Sequence, residues 1–420
     1  IFTTRITTGN ICMTTFMSLV GMCVLLGIAF AASTNRKAIN LRTVAIAFAM
    51  QVVIGGFVLF FDAGKNVLAS MSAAVSSVIG YANDGIGFLF GPLASQDTLG
   101  FIFAIQVLPV IVFFSALVAV LYHIGIMDWI IKILGGGLQK LLKTSRTESL
   151  SATANIFVGQ TEAPLIVKPF IATMTKSELF AVMVGGLATV AGSVMAGYVI
   201  IGVELKYLIA ASFMAAPGGF LMAKMIVPET ETPKDNLADL DLNDDDKPVN
   251  VIDAAASGAA NGMHLALNVG AMLLAFVALI ALLNGLLGGV GGWFDHPTLT
   301  LQEILGYVFA PVAWLLGVPW DEAIIAGSFI GQKIVVNEFV AYLDFINYRD
   351  TLSAHTQAIV TFALCGFANL SSIAILLGGL GGMAPSRRKD IARLGLRAVL
   401  AGSMANLMSA AIAGFFLSLA

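Results

Sequence analysis

The chain has 420 residues, 58 % of them hydrophobic and 11 % charged, with mean hydropathy +0.92. A soluble domain carries about a quarter charged residues, so this composition excludes one. The formal net charge of −3 says little by itself, no nucleic-acid partner is expected, and Cys12, Cys23 and Cys365 lie in or beside apolar segments without disulfide or metal spacing. The ~10-residue alternating segments of a membrane β-barrel are absent.

Eight segments approach or exceed the ~20 apolar residues that cross ~30 Å of hydrocarbon. Residues 13–33, 44–61 and 101–122 come first and carry almost no charge, which suits contact with lipid or with neighbouring copies of the chain. Ala31-Ala32-Ser33 resembles a signal-peptide cleavage site, but Arg36, Lys37 and Arg42 follow at once and favour a retained helix. Because the chain opens on Ile1 rather than Met, residues 1–12 read in part as an added remnant. Residues 1–127 form an N-terminal scaffold, with 62–100 as a loop.

An amphipathic segment at 128–145 is expected to lie along the interface, ahead of an apolar stretch at 148–170 that holds Glu162 and Pro164. Spans 178–202 and 207–227 complete a unit over 128–227. Pro228 to Lys247 is rich in Asp, Glu, Thr and Pro and reads as a solvated cytoplasmic loop within 228–249. A long span at 254–285 with an outer loop fills 250–299. The last unit, 300–420, repeats the first: an interfacial segment at 300–317, a stretch at 321–345 holding Lys333 and Glu338, and spans 357–383 and 395–418.

The basic residues orient these segments. Arg36, Lys37 and Arg42, the group Lys132, Lys140, Lys143, Arg146, Lys168 and Lys176, and the group Arg387, Arg388, Lys389, Arg393 and Arg397 belong in the cytoplasm. Segments 62–100, 203–206 and 286–320 carry only Lys65 and Lys206. Eight full crossings with both termini outside satisfy this alternation, provided that 148–170 and 321–345 do not cross. Both therefore read as re-entrant helical hairpins, whose irregular tips require protein or a wet cavity around them. After each comes an interrupted span: Gly186-Leu187-Ala188-Thr189-Val190-Ala191-Gly192-Ser193 in the first, Gly366-Phe367-Ala368-Asn369-Leu370-Ser371-Ser372 in the second. Three crossings separate the units, so the second enters from the opposite face. The fold class is all-α polytopic, with inverted repeats and broken helices meeting at the midplane.

Glu162 and Glu338 hold matching positions in these repeats. A carboxylate at such depth costs at least ~2.5 kcal/mol and usually marks a substrate or ion path. Gln160, Thr161 and Glu162 place amide, hydroxyl and carboxylate side by side, a set that suits a small polar ligand. The plainer alternative is a carboxylate capping the second hairpin helix. Glu338, beside Asn337, either binds ligand or pairs with Lys333, at a spacing poor for a helical pair. Lys333 itself is expected to satisfy backbone carbonyls or to snorkel. Asn369, Ser371 and Ser372 either join the site or bond between helices. Asn155 and Thr189, near freed carbonyls of Val158 and Val190, offer either neutral oxygens for a hard cation or ordinary interhelical bonds. Gly135-Gly136-Gly137 lacks a phosphate loop's lysine and serine, Asp239 to Asp246 lacks a calcium loop's glycine, and the four histidines are dispersed. No nucleophile–base arrangement appears, so an enzyme is not expected.

Three strings, Asn155 to Leu165, Val336 to Tyr342 and Phe362 to Ile373, resemble the bacterial sodium-coupled concentrative nucleoside transporters, and the likeness extends over nearly the whole chain from about residue 13. The resemblance implies a homotrimer in the bacterial inner membrane, with one transport path per protomer. It places Gln160, Thr161 and Glu162 against the nucleobase, with Val194 nearby. Glu338, Asn369 and Ser372 would hold the ribose hydroxyls, and Phe367 would line the site. Sodium (Na+) would sit on Asn155, Thr189 and the carbonyls of Val158 and Val190. The close bacterial pattern has Ser where this chain has Thr189, which keeps the hydroxyl and adds a methyl. Thr161-Glu162-Ala163-Pro164 is similar to the sodium branch, since proton-coupled relatives typically carry Ser before the glutamate and lack Ala-Pro. The expectation is nucleoside import by sodium symport through an elevator-like movement. A proton-coupled symporter and a passive channel are the alternatives.

Overall fold

A computed structural model describes residues 2–233 and 248–419. The described residues form helices and turns without strands. The N-terminal part holds α1 (Phe2–Ala31), α2 (Leu41–Leu59), α3 (Asp62–Phe90), the short α4 (Gln96–Leu99) and α5 (Phe103–Gln106), and α6 (Leu108–His123). The first repeat runs through α7 (Ile126–Leu142), α8 (Arg146–Ala154), α9 (Lys168–Ile171), α10 (Lys176–Ala188), α11 (Gly192–Ile200) and α12 (Leu205–Ile226). After α13 (Val251–Gly291) come α14 (Leu301–Leu315), α15 (Trp320–Val335), α16 (Glu338–Tyr348), α17 (Ala354–Leu364), α18 (Ser372–Met383) and α19 (Arg388–Leu419). Of the acidic loop at Pro228–Lys247, residues 234–247, and with them Asp239 to Asp246, lie outside the described residues.

Local chemistry sets the helix starts. Ser145 and Glu148 form a capping box at α8, and Thr175 with Glu178 forms a second at α10. Asn337 accepts a bond from Val340 N at 2.9 Å and thereby starts α16. Gly317, with φ +98°, supplies the left-handed turn that ends α14, after which α15 departs at 115°.

Seven described helices or helix pairs are long and apolar enough to cross a membrane. The eighth expected span, 357–383, is divided: α17 has 11 residues, α18 has 12, and Cys365–Ser371 separate them. One expectation needs correction. Residues 62–100 are not a loop, because α3 occupies 29 of them. Gly64, Leu68, Ile79, Ala82 and Ile86 recur at helical spacing and are buried on one face, while Asp62, Lys65 and Asp84 break the apolar run that would flag a span.

Around the site, α10, α11, α12 and α19 form the inner bundle, whereas α1, α2, α6 and α13 keep most of their surface exposed. With 41 residues, α13 is about 60 Å long at 1.5 Å per residue. It packs tightly along α6, because Gly258 and Gly262 face that helix: a Cβ on either would come within 2.9 Å of Ser115, Ala116 or Val112 backbone atoms.

Both expected hairpins turn back on themselves. Gln332 Nε2 donates to Asp344 Oδ2 at 2.6 Å, and the Phe329 and Phe345 rings lie 5.7 Å apart. A continuous helix would separate residues 332 and 344 by about 18 Å, so α15 and α16 are antiparallel legs. In the first hairpin, Leu150 and Ile166 pack against one small core of Ala154, Val158 and Ala163.

Candidate functional site

The two hairpins and the two broken spans meet through backbone bonds. Gly192 N donates to Phe157 O at 3.0 Å, joining the first hairpin to the first break. The second repeat does the same, with Leu370 N donating to Ile334 O at 3.2 Å. The breaks touch each other where Phe367 N donates to Thr189 O at 3.2 Å. From α19, Asn406 Nδ2 donates to Ala188 O at 2.6 Å and to Cys365 O at 2.8 Å, so one amide side chain fastens the ends of α10 and α17. Backbone groups freed by the interruptions thus find partners inside the protein.

At this crossing lies a cavity of about 110 Å³. Gln160, Thr161, Glu162, Val194, Glu338, Phe367, Asn369 and Ser372, the eight residues expected at a ligand site, all line it. Leu265, Val269, Met272 and Leu273 of α13 supply an apolar wall. A cavity lined by several polar side chains and one apolar wall suits a small ligand with both kinds of surface.

Glu338 is buried at the start of α16, where the helix dipole favours negative charge. Its Oε1 accepts from Tyr198 OH at 3.0 Å and its Oε2 from Asn369 Nδ2 at 3.0 Å. Asn369 Oδ1 in turn accepts from Ser371 Oγ at 2.7 Å and from Ser372 N at 2.9 Å. The result is a carboxylate with fixed direction and spare lone pairs. Its bonds go to Tyr198 and Asn369, whereas those of Lys333 go to Ala363 and Asn406, so no Lys333–Glu338 pair is drawn.

Glu162 does not cap the segment after it with its side chain. Instead its Oε2 accepts from Gly159 N at 3.2 Å, closing the hairpin tip on itself. Gln160 Oε1 is buried and has no partner among the described residues. A second cavity of about 630 Å³ lies beyond the tip, lined by Tyr122, Asp128, Phe157, Ser193 and Asn261. Glu162 alone lines both cavities, so it stands at the partition between them.

The four residues expected to hold a cation are buried between the first hairpin and the first break. Asn155 donates Nδ2 to Ser151 O at 3.0 Å, but its Oδ1 is buried without a partner. An orphaned buried oxygen is costly unless an ion or a water satisfies it. Gly185 and Gly186 of α10 lie against that side chain. Thr189 donates Oγ1 to Gly185 O at 2.9 Å, which leaves the hydroxyl oxygen free to accept. Neutral oxygens at a half-helix C-terminus fit a small monovalent cation such as sodium.

Two contributors were not singled out from the sequence. Tyr198 sits fully buried on α11, and a buried phenol needs a partner, which is the signal that marks it. Asn406 is a polar residue in the last apolar span, a cue of the same type as the two carboxylates.

Residues 207–414 match the family model described as Na+ dependent nucleoside transporter C-terminus, residues 20–93 match its N-terminus, and residues 104–204 match the model described as nucleoside recognition. The chain is 60 % identical to an uncharacterized transporter of Haemophilus influenzae, over 97 % of this chain and 99 % of that one. It is 51 % identical to the nucleoside permease NupC of Helicobacter pylori, over 96 % and 98 %. A solved structure of CNTnw in an inward-facing substrate-bound state superposes with TM-score 0.93 at 61 % identity, covering 97 % of this chain and 99 % of that one.

Proposed function

The chain belongs to the Na+-dependent concentrative nucleoside transporter family, and from that membership we propose that it imports nucleosides, uridine among them, by sodium symport. The observation that carries this reading is the convergence of both hairpin tips and both breaks on one cavity that holds every expected ligand residue. In it, Gln160, Thr161 and Glu162 read the nucleobase. Glu338, with Asn369 and Ser372, holds the ribose hydroxyls, while Phe367 and Val194 pack against the ligand. Sodium binds Asn155, Thr189 and the carbonyls of Val158 and Val190.

Coupling follows from a shared tip. Asn155 and Gln160 belong to one short irregular segment, and each carries a buried oxygen without a partner. A sodium ion on Asn155 fixes that segment against the first break and orients Gln160 and Glu162 before the nucleoside arrives. Each sodium entering at ~100 mV, negative inside, contributes ~2.3 kcal/mol besides its concentration gradient. The hairpin-bearing repeats (128–227 and 300–420) move against the scaffold of α1, α2, α3, α6 and α13, whose exposed apolar faces suit lipid and the other protomers of a homotrimer. The larger cavity borders the basic, cytoplasmic side of α6 and α7, and Glu162 connects it to the central site as a path of release. The location is the bacterial inner membrane, with both hairpins re-entrant and both termini outside.

The base-reading role is tested with Glu162→Gln. Exchanging a carboxylate for an amide removes one charged acceptor worth ~1.5–3 kcal/mol, so uridine affinity is expected to fall by about tenfold or more. The ranking of pyrimidine against purine nucleosides is expected to change with it. Competition binding measures both, and an unchanged profile removes Glu162 from the base site.

A further inference from the structure

Two half-helices end at the crossing of the breaks, α10 at Ala188 and α17 at Leu364. Each brings carbonyl oxygens and about half a negative charge to a buried C-terminus. The two ends are treated differently. At the first, the hairpin contributes Asn155, a neutral side chain whose Oδ1 has no partner. At the second, the hairpin contributes Lys333, whose side chain is 1 % exposed.

Lys333 Nζ donates to Ala363 O at 3.0 Å, one residue from the end of α17, and to Asn406 Oδ1 at 2.6 Å. Both partners are oxygens, the acceptors that an ammonium requires. Asn406 then donates from its other atom to Cys365 O and Ala188 O. The ammonium therefore lies in a nest of carbonyl and amide oxygens, the ligand type that the first repeat offers to an ion. Its position is fixed by α15, so it needs no dehydration in each cycle. A buried charge needs dipoles turned toward it, and the end of α17 and the Asn406 amide present their oxygens to this nitrogen.

We infer that Lys333 is a tethered cation filling, in the second repeat, the position that a mobile sodium fills in the first, so that one sodium rather than two accompanies each nucleoside. This rests on the sodium-symport reading above. Lys333 touches neither substrate nor ion and is a positioning residue. Its loss should therefore change ion stoichiometry as well as rate.

The test uses the full chain in proteoliposomes, with labelled uridine and sodium as probes. It reads the Hill slope of uptake against sodium and, from reversal potentials, the charge moved per nucleoside. Wild type is expected to give a slope of about one and about one charge, since the slope is bounded by the number of sites. Lys333→Gln puts a neutral amide oxygen where Asn155 has one in the other repeat. It is expected to move both values toward about two and to raise the sodium midpoint. A folded variant that loses rate but keeps both wild-type values overturns the inference and leaves Lys333 a structural residue. Two charges per nucleoside in wild type overturn it as well, even if the variant does not fold. Wild-type uptake indifferent to sodium is a different failure, because it removes the symport reading and this inference together.

Discussion

Replacing Glu338 by Ala is expected to lower nucleoside uptake by about two orders of magnitude or more while the protein stays folded. The carboxylate accepts from Tyr198 and Asn369, and its remaining lone pairs face the cavity. Two bonds from ribose hydroxyls to a charged acceptor are worth ~1.5–3 kcal/mol each, and every ~1.4 kcal/mol is tenfold. The Ala variant loses these and also releases the Asn369 amide. Tyr198→Phe serves as the control: it keeps the charge, removes one positioning bond, and should reduce affinity by only about tenfold. Equilibrium binding of uridine to purified protein, beside a size-exclusion profile, separates lost binding from lost folding. Wild-type affinity in a folded Glu338→Ala protein would remove the ribose role.

The second large effect is expected at the ion site. Asn155→Leu keeps the side chain's size but deletes the orphaned Oδ1, one of the few oxygens available to the cation. Removing a ligand of that strength should raise the sodium concentration for half-maximal uptake by about tenfold or more. Thr189→Val should move it in the same direction, since it deletes the only other side-chain oxygen of the set. Nucleoside ranking at saturating sodium should stay unchanged in both, because neither residue lines the central cavity. Sodium titrations of uptake at fixed uridine read this effect. An unshifted midpoint in both variants places the ion elsewhere.

Much of this architecture was written in local chemistry. The hairpins announced themselves because a carboxylate, a proline or a lysine interrupts an apolar stretch, and the broken spans because Gly, Asn and Ser punctuate otherwise uniform helices. The capping pairs Ser145–Glu148 and Thr175–Glu178 are likewise readable as strings. Helix α3 is not legible as a span because its buried residues form one face rather than a run. Tyr198 and Asn406 were hidden for another reason. Tyr198 meets Glu338 across 140 positions and Lys333 meets Asn406 across 73, and spacing along the chain carries no trace of such pairs. The bond from Gly159 N to Glu162, which closes the hairpin tip, is a local contact that the string Gly159 to Pro164 does not announce.

We propose that sodium binding at Asn155 and Thr189 drives nucleoside accumulation through the cavity between the hairpins. Uptake of labelled uridine into proteoliposomes, with a sodium gradient and a proton gradient imposed separately, tests it most directly. An inward sodium gradient at equal pH should concentrate uridine above its external level, and a proton gradient alone should not. Accumulation driven by protons without sodium, or simple equilibration under either gradient, would contradict it.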